Sequence, residues 1–267
     1  MKIEEMEVQI TPLERDTKVR IMLPEGYESQ NKRYPVLYIN DGQDVFRDDQ
    51  TYGDNQSLRY EEYYRDYKKF LPDIILVAIC APKDSAIRTR QYSPFTKSFE
   101  VPEGKNFEPI IKGEGILYLN WMTTELKSII DEKYRTYPDP DNTAICGYST
   151  GGLNSVYALL KYSHVFHRGI VISAAVAIWM DCLKKSLETG GYQNLKRIYL
   201  DTGTREFGRM STKEDFLRGT ETIYQYFKSN GLTQEKLKYK VFPDATHSQK
   251  DWSLRFPDAI RWVFPEY

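Results

Sequence analysis

The chain is poor in the residues that most often announce a special chemistry. It holds three histidines and three cysteines in 267 residues, and no apolar run approaches the length of a membrane span. Cys80, Cys146 and Cys182 are odd in number and far apart, which argues against a disulfide framework and against a zinc site; no metal and no organic cofactor is expected. Cys80 and Cys146 lie in apolar runs and read as inert core residues. No charge of one sign dominates, because 37 Lys and Arg face 38 Asp and Glu. Without a strong field, neither nucleic acid nor a membrane surface is expected as a partner. The opening stretch MKIEEMEVQI is acidic and strand-like, with no apolar leader, so a cytoplasmic location is expected.

What is present is a well-supplied interior. Hydrophobic residues make up 40% of the chain and aromatics 14%, with 21 tyrosines, enough to bury a core and to line a pocket. The length suits one domain over residues 1–267. EEMEVQI and TKVRIML alternate apolar with polar residues around TPLERD and predict a half-exposed antiparallel hairpin. YPVLYIN and DIILVAIC are continuous apolar runs, as expected of strands buried on both faces of a parallel sheet. TAICG, RGIVISA, KRIYLD and LKYKVF continue the series. Helical spacing appears between them, in GILYLNWMTTELKSIIDEKY, GGLNSVYALLKY, TKEDFLRGTETIYQYFKSN and DWSLRFPDAIRWVF. This alternation predicts a three-layer α/β sandwich with a mostly parallel central sheet. Two stretches resist it: a partly helical, Tyr-rich segment from Gly42 to Phe70, and a polar segment rich in Pro and Lys from Pro82 to about Lys112; long insertions of this kind at strand ends are expected to line a site.

Gly147-Tyr148-Ser149-Thr150-Gly151 reads G-x-S-x-G, with the strand TAIC before it and the helical GLNSVYALL after it. That strand–turn–helix setting is what a nucleophile elbow requires: the glycines remove Cβ atoms that would clash, and the serine Oγ stands clear of the sheet. The following helix turns its N-terminus toward developing negative charge. Without that context, the pattern is a tight turn with a capping serine.

A serine nucleophile needs a general base. His164 and His167 lie between the helix after Ser149 and the next strand, a position expected to lie away from the strand ends and to hold surface histidines. His247 follows the last strand and precedes the last helix, where the order Ser…acid…His puts the base. The acid then belongs after KRIYLD: Glu206 in TGTREFG is favoured, since a residue just past the strand reaches the imidazole better than one inside the sheet. Asp201 is the alternative, and Asp244 a third candidate. The oxyanion calls for two donors, assigned to the N–H of Thr150 and, from the loop Asp41-Gly42-Gln43 after an earlier strand, that of Gln43. Gly42, expected to let backbone approach a ligand, and Tyr148 join them as candidate substrate contacts. So do Arg88 and Arg90, whose guanidinium groups suit a carboxylate, phosphate or phenolate. Tyr52, Tyr60, Tyr63, Tyr64 and Tyr67 form either an aromatic wall for a sugar or aryl ester or a packed helix face.

The segments PVLYINDGQDVF, RTRQYSPF, TAICGYSTGGLNSVYALLKYSHVFHRGIVISAA, RIYLDTGTRE and DATHSQKDWSLRFPDAIRWVF together resemble the Putative esterase family of the α/β-hydrolase superfamily, which includes esterase D, feruloyl esterases and trilactone siderophore esterases. The resemblance spans roughly residues 15 to 264. It implies an α/β-hydrolase fold and a carboxylic-ester hydrolase working through an acyl-serine, with Ser149 as nucleophile, His247 as base, an acid in the GTRE loop and Thr150 beside the DGQ loop as the oxyanion hole. Thr150 is a departure, since many relatives carry Leu or Met there; only its backbone N–H is needed. The expected partner is a small ester, and the surface leaves room for a homo-oligomer. Two other readings compete: an acyltransferase to a sugar or lipid, and a binding protein that keeps the fold without turnover.

Overall fold

Strand sequences that are apolar along most of their length pack on both faces, and four of them form the middle of the molecule. The computed structural model describes residues 1–52, 56–101, 103–105 and 107–267. Its strands are β1 (Lys2–Ile10), β2 (Arg15–Leu23), β3 (Val36–Asn40), β4 (Ile75–Ile79), β5 (Lys97–Ser98), β6 (Ile110–Ile111), β7 (Thr143–Tyr148), β8 (Arg168–Ile172), β9 (Arg197–Arg205) and β10 (Leu237–Thr246). Eight of them form one sheet in the order β1-β2-β4-β3-β7-β8-β9-β10. From β4 onward all pairs are parallel, while β1–β2 and β2–β4 are antiparallel. β3, β4, β7 and β8 are buried along their whole length. Alternate side chains serve two separate cores: Val36, Tyr38, Val77 and Ile145 on one face, Leu37, Ile39, Ala78 and Cys146 on the other. Helices cover both, so the expected three-layer α/β sandwich is present.

The opening hairpin forms as expected, with Lys2 opposite Leu23 and Ile10 opposite Arg15. Only β1 is half exposed; β2 is mostly buried because β4 covers its other edge. The segment from Pro82 is more regular than its composition suggests. It holds a helix, Ser85–Tyr92, and the two-stranded β5–β6 ribbon. That helix buries only Gln91 and Tyr92 fully and so has no apolar stripe to read; its signal is the cap, where Asp84 accepts from the N–H groups of Ala86 and Ile87 at 2.8 and 3.0 Å. The Tyr-rich segment is partly helical as expected, with a helix at Tyr60–Tyr67. Gly53–Asn55, Pro102 and Asn106, within these two stretches, lie outside the described residues.

The last helical pattern breaks into Gln249–Ser253 and Phe256–Val263. Pro257 lacks an N–H and sits in the first turn of the second helix, the one place where a helix accepts it. Arg255 stands at the break with its side chain almost wholly buried.

Gly42 also has a packing role that the sequence did not suggest. A Cβ there would lie 2.4 Å from the carbonyl carbon of Ala78 and 2.5 Å from its oxygen, so the glycine lets the turn after β3 press on β4 and does not serve approach to a ligand. Gly42→Ala is expected to cost roughly 1–3 kcal/mol through the overpacked contact, read as a lower urea midpoint with an unchanged slope.

Candidate active site

β7 runs directly into the turn at Ser149, which adopts φ 56° and ψ −126°. A non-glycine residue in that region stores of order 1–3 kcal/mol of strain, so its neighbours must hold it there. Its N–H donates to Ile172 O at 3.2 Å, and its carbonyl accepts from Ala175 N at 2.9 Å. A Cβ on Gly147 would meet Gly151 O at 2.2 Å, and one on Gly152 would meet Ala174 Cβ at 2.9 Å. The small residues around the serine are therefore what lets the turn close. The helix Thr150–Lys161 begins at once, and the N–H of Thr150 belongs to its first turn, where amides lack intrahelical partners.

The other two members arrive through strand register. β9 and β10 pair in parallel, and past a shift after Phe242 the final pair is Thr246 beside Arg205. The next residue on each strand is His247 and Glu206, so the ladder itself delivers base and acid side by side. His247 Nδ1 lies 3.0 Å from Glu206 Oε2, and His247 Nε2 lies 2.9 Å from Ser149 Oγ. The imidazole sits between Phe216, with ring centroids 4.5 Å apart, and Trp252, edge-on at 4.8 Å. Glu206 is fully buried, and its Oε1 accepts from Gly203 N and Ser173 Oγ at 2.5 Å each.

Asp201 does not take the acid's place. It is buried within β9, and its nearest charge is Arg255 Nη1 at 3.1 Å. Asp244 is exposed and pairs with Arg205 at 2.8 Å. His167 bonds Asp141 at 2.6 Å and His164 stacks on Tyr162, so both have partners of their own elsewhere in the fold.

The turn after β3 is clamped against the elbow. Asn40 Nδ2 donates to Gly151 O at 3.2 Å, and Asp41 N donates to the Tyr92 hydroxyl at 2.9 Å. Asp41, at φ 59°, is held by a bidentate contact from Arg88 at 2.5 and 2.7 Å. Gln43 turns its carboxamide away, accepting from Ala81 N at 2.9 Å. The Asp44 carboxylate ties three segments together, accepting from the Tyr148 hydroxyl at 3.1 Å and from Gln249 Nε2 at 3.2 Å.

A cavity of about 250 Å³ opens over Ser149, Thr150 and His247. Phe107, Trp179, Phe207 and Phe216 supply its aromatic wall, and Arg88 and Arg209 its cations. No carboxylate is among the described lining residues. Several expected substrate contacts lie elsewhere. Arg90 faces Glu108 at 4.0 Å, outside the cavity. Tyr148 is buried beneath the site with its ring on Trp252. Tyr60 and Tyr64 belong to the core, Tyr63 and Tyr67 pack on each other, and Tyr52 donates to Ala81 O. The helix-face reading holds for Tyr60, Tyr63, Tyr64 and Tyr67, whereas Tyr52 lies before the helix. Ser173, Arg255, Asn40 and Asp44 were missed. Asp44, in the DGQD turn, had a readable signal; the others carry none without neighbours.

The family model described as Putative esterase matches residues 10–263, nearly the whole chain. The chain belongs to the Putative esterase family. It is accordingly a hydrolase of esters. YbbA, an uncharacterized protein of Bacillus subtilis (strain 168), is 26% identical over 250 residues, covering 91% of each chain. Among solved structures, the BES protein of Bacillus cereus aligns over 98% of this esterase and 96% of that chain, at 18% identity and a TM-score of 0.74. The enterobactin esterase FES of Shigella flexneri, solved in the presence of enterobactin, aligns over 99% of this esterase and 59% of that chain, at 16% identity and a TM-score of 0.74. The structural likenesses establish the α/β-hydrolase fold. Among the described residues no helix is long and apolar enough to cross a membrane.

Burial, reinforced by the nearby Asp41 charge, raises the Asp44 carboxyl from 3.8 to about 6. The folded chain thus keeps this proton where the unfolded chain has lost it, so Asp44 takes stability away as pH rises from about 4 to about 6 and withholds it above. Two pKa units correspond to roughly 3 kcal/mol. Asp44→Asn is therefore expected to gain stability relative to the wild type across that window and to hold the gain at higher pH, measured by urea unfolding at a series of pH values.

Proposed function

We propose that this esterase acts through Ser149 as nucleophile, His247 as general base and Glu206 as the acid that orients the imidazole. The observation that carries the reading is the continuous hydrogen-bonded line from Ser149 Oγ through both ring nitrogens of His247 to Glu206. Ser149 Oγ attacks the ester carbonyl as its proton passes to His247 Nε2. Glu206, at Nδ1, fixes the tautomer and stabilises the imidazolium. The N–H groups of Thr150 and Gln43 are assigned to the oxyanion; loss of one such donor commonly costs about 3–4 kcal/mol of transition-state stabilisation. His247 then returns its proton to the leaving alcohol, and activates water against the acyl-serine.

The cavity favours an ester bearing an aromatic or other apolar group together with a negative charge. The four aromatic side chains supply the first preference. For the second, Arg88 is already committed to Asp41, whereas Arg209 is exposed and has no ion-pair partner among the described residues. The enterobactin esterase FES, alike in fold, was also solved in the presence of 2,3-dihydroxy-N-benzoyl-glycine, an aryl compound, which agrees with the first preference.

Ser149→Ala is expected to lower p-nitrophenyl acetate hydrolysis by about a thousandfold or more. A variant as active as wild type sinks the assignment. Product analysis with an added alcohol separates hydrolysis from acyl transfer. Arg209→Ala is expected to raise KM roughly tenfold for the hemisuccinate of p-nitrophenol while leaving the neutral butyrate unchanged, since only the former loses a charge-assisted contact. Equal effects on both esters would remove Arg209 from substrate recognition.

A further inference from the structure

Behind Glu206 lies a charge cluster almost entirely shut off from water. The side chains of Asp201 and Glu206 have no exposure, and that of Arg255 has 2%. Arg255 reaches them from the break between the last two helices. Its Nη2 donates to Ser173 Oγ at 3.0 Å and to Glu206 Oε1 at 3.3 Å, while Nη1 lies 3.1 Å from Asp201 Oδ1. The Arg255 guanidinium also lies over Phe242, 5.0 Å from the ring centre, which closes that side to solvent.

The two carboxylates are unequally served. Glu206 collects the Gly203 N–H, the Ser173 hydroxyl and Arg255 on Oε1, and faces His247 with Oε2. Ser173 can donate to Glu206 because its oxygen accepts from Trp252 Nε1 at 3.0 Å and from Arg255. The contact of Asp201 with Arg255 is close but poorly directed, and neither oxygen has a partner at full hydrogen-bond geometry, although the Tyr199 hydroxyl and the Ser173 N–H lie near enough to favour its charged form. One guanidinium does not neutralise two carboxylates in such a place, and a buried charge without partners is costly.

We propose that Arg255 is a positioning residue shared by two buried carboxylates: it holds Glu206 against His247, while Asp201, the poorly bonded partner, takes up and releases a proton within the working pH range. This rests on reading Ser149, His247 and Glu206 as a triad. Burial raises the Asp201 carboxyl to about 7, against the opposing pull of Arg255, and the Glu206 charge adds to the rise. The other ionisable groups facing the cluster are Tyr199 on the same strand, Cys146 on β7, Asp258 on the last helix and Asp251 on the helix before it. Below pH 7, Arg255 then serves Glu206 alone. Above it, Asp201 competes for the guanidinium and adds negative charge behind the imidazole.

The experiment follows the acid limb of kcat/KM on a neutral p-nitrophenyl ester, together with the NMR titration of the His247 ring, one of only three histidines to assign. Arg255→Gln takes the cation from Glu206 and leaves Asp201 protonated to higher pH, so limb and ring titration are both expected to move to higher pH by about half a unit or more, with kcat/KM at pH 7 down roughly tenfold. Arg255→Lys is expected to restore most of both. Asp201→Asn, nearly isosteric, is expected to move the limb the other way with kcat/KM near wild type at pH 7. Should Arg255→Gln alone fail to fold, the double variant Arg255→Gln/Asp201→Asn also removes the second buried carboxyl, and it is expected to keep both the upward shift of the His247 titration and the loss in kcat/KM, because Glu206 has still lost its cation. Folded single variants whose His247 titration overlays the wild type overturn the proposal, as does a double variant with full activity. A wild type without Ser149-dependent hydrolysis overturns the triad reading instead, and the ring titration still decides whether Arg255 and Asp201 are coupled to His247.

Discussion

Everything in this site depends on a backbone held where it does not rest by itself. Ser149 sits at positive φ, and no hydrogen bond of its own side chain caps the helix behind it. The turn survives because the strand before it and the helix after it are packed too closely for any other path. Gly147 faces the carbonyl of Gly151, and Gly152 faces Ala174, each at a distance that excludes a Cβ. The strain is local and modest, while the enforcing contacts belong to a core several strands wide. The serine is thereby raised above the sheet with its hydroxyl on His247 and not on the helix behind it.

The partners of Ser149 are delivered by equally simple means. Two parallel strands that end level with one another place their next residues side by side, and here those residues are Glu206 and His247. The turn after β3 reaches the elbow because Gly42 lets it lie on β4 and because Arg88, Tyr92 and Asn40 hold it there. Asp44 then links that turn to the histidine loop through Gln249. The three segments that meet at the serine are thus bonded to one another as well as to it, which keeps several polar groups satisfied in a place with little water.

Side chains that looked free in the sequence proved to be employed. Arg88 lines the cavity but spends its charge on Asp41, and Arg90, two residues on along the same helix, points elsewhere. The tyrosines of the segment after β3 pack inward or on one another, because a helix with bulky rings at three- and four-residue spacing buries them before it offers them to a ligand. The segment after Pro82 does line the cavity as expected, through Ser85, Arg88, Thr89 and Phe107, and the rest of the wall comes from the loop after Glu206, from Phe216 and from Trp179.

The order of strands and helices, the elbow, the histidine and the loop that holds the acid could all be read from the chain, because each follows from local periodicity or from a short motif with a fixed structural setting. The choice of Glu206 over Asp201 could not be read with the same force, because the apolar run KRIYLD stops at Asp201 whereas β9 continues to Arg205, which leaves Asp201 inside the sheet and Glu206 just past it. Still less could the role of Arg255 be read. Its burial arises from a helix broken by Pro257, and its partners come from β9 and from the residues just past β8 and β9. Charges distant in sequence acquire meaning only when packing removes the water between them, and that removal is a property of the tertiary structure alone.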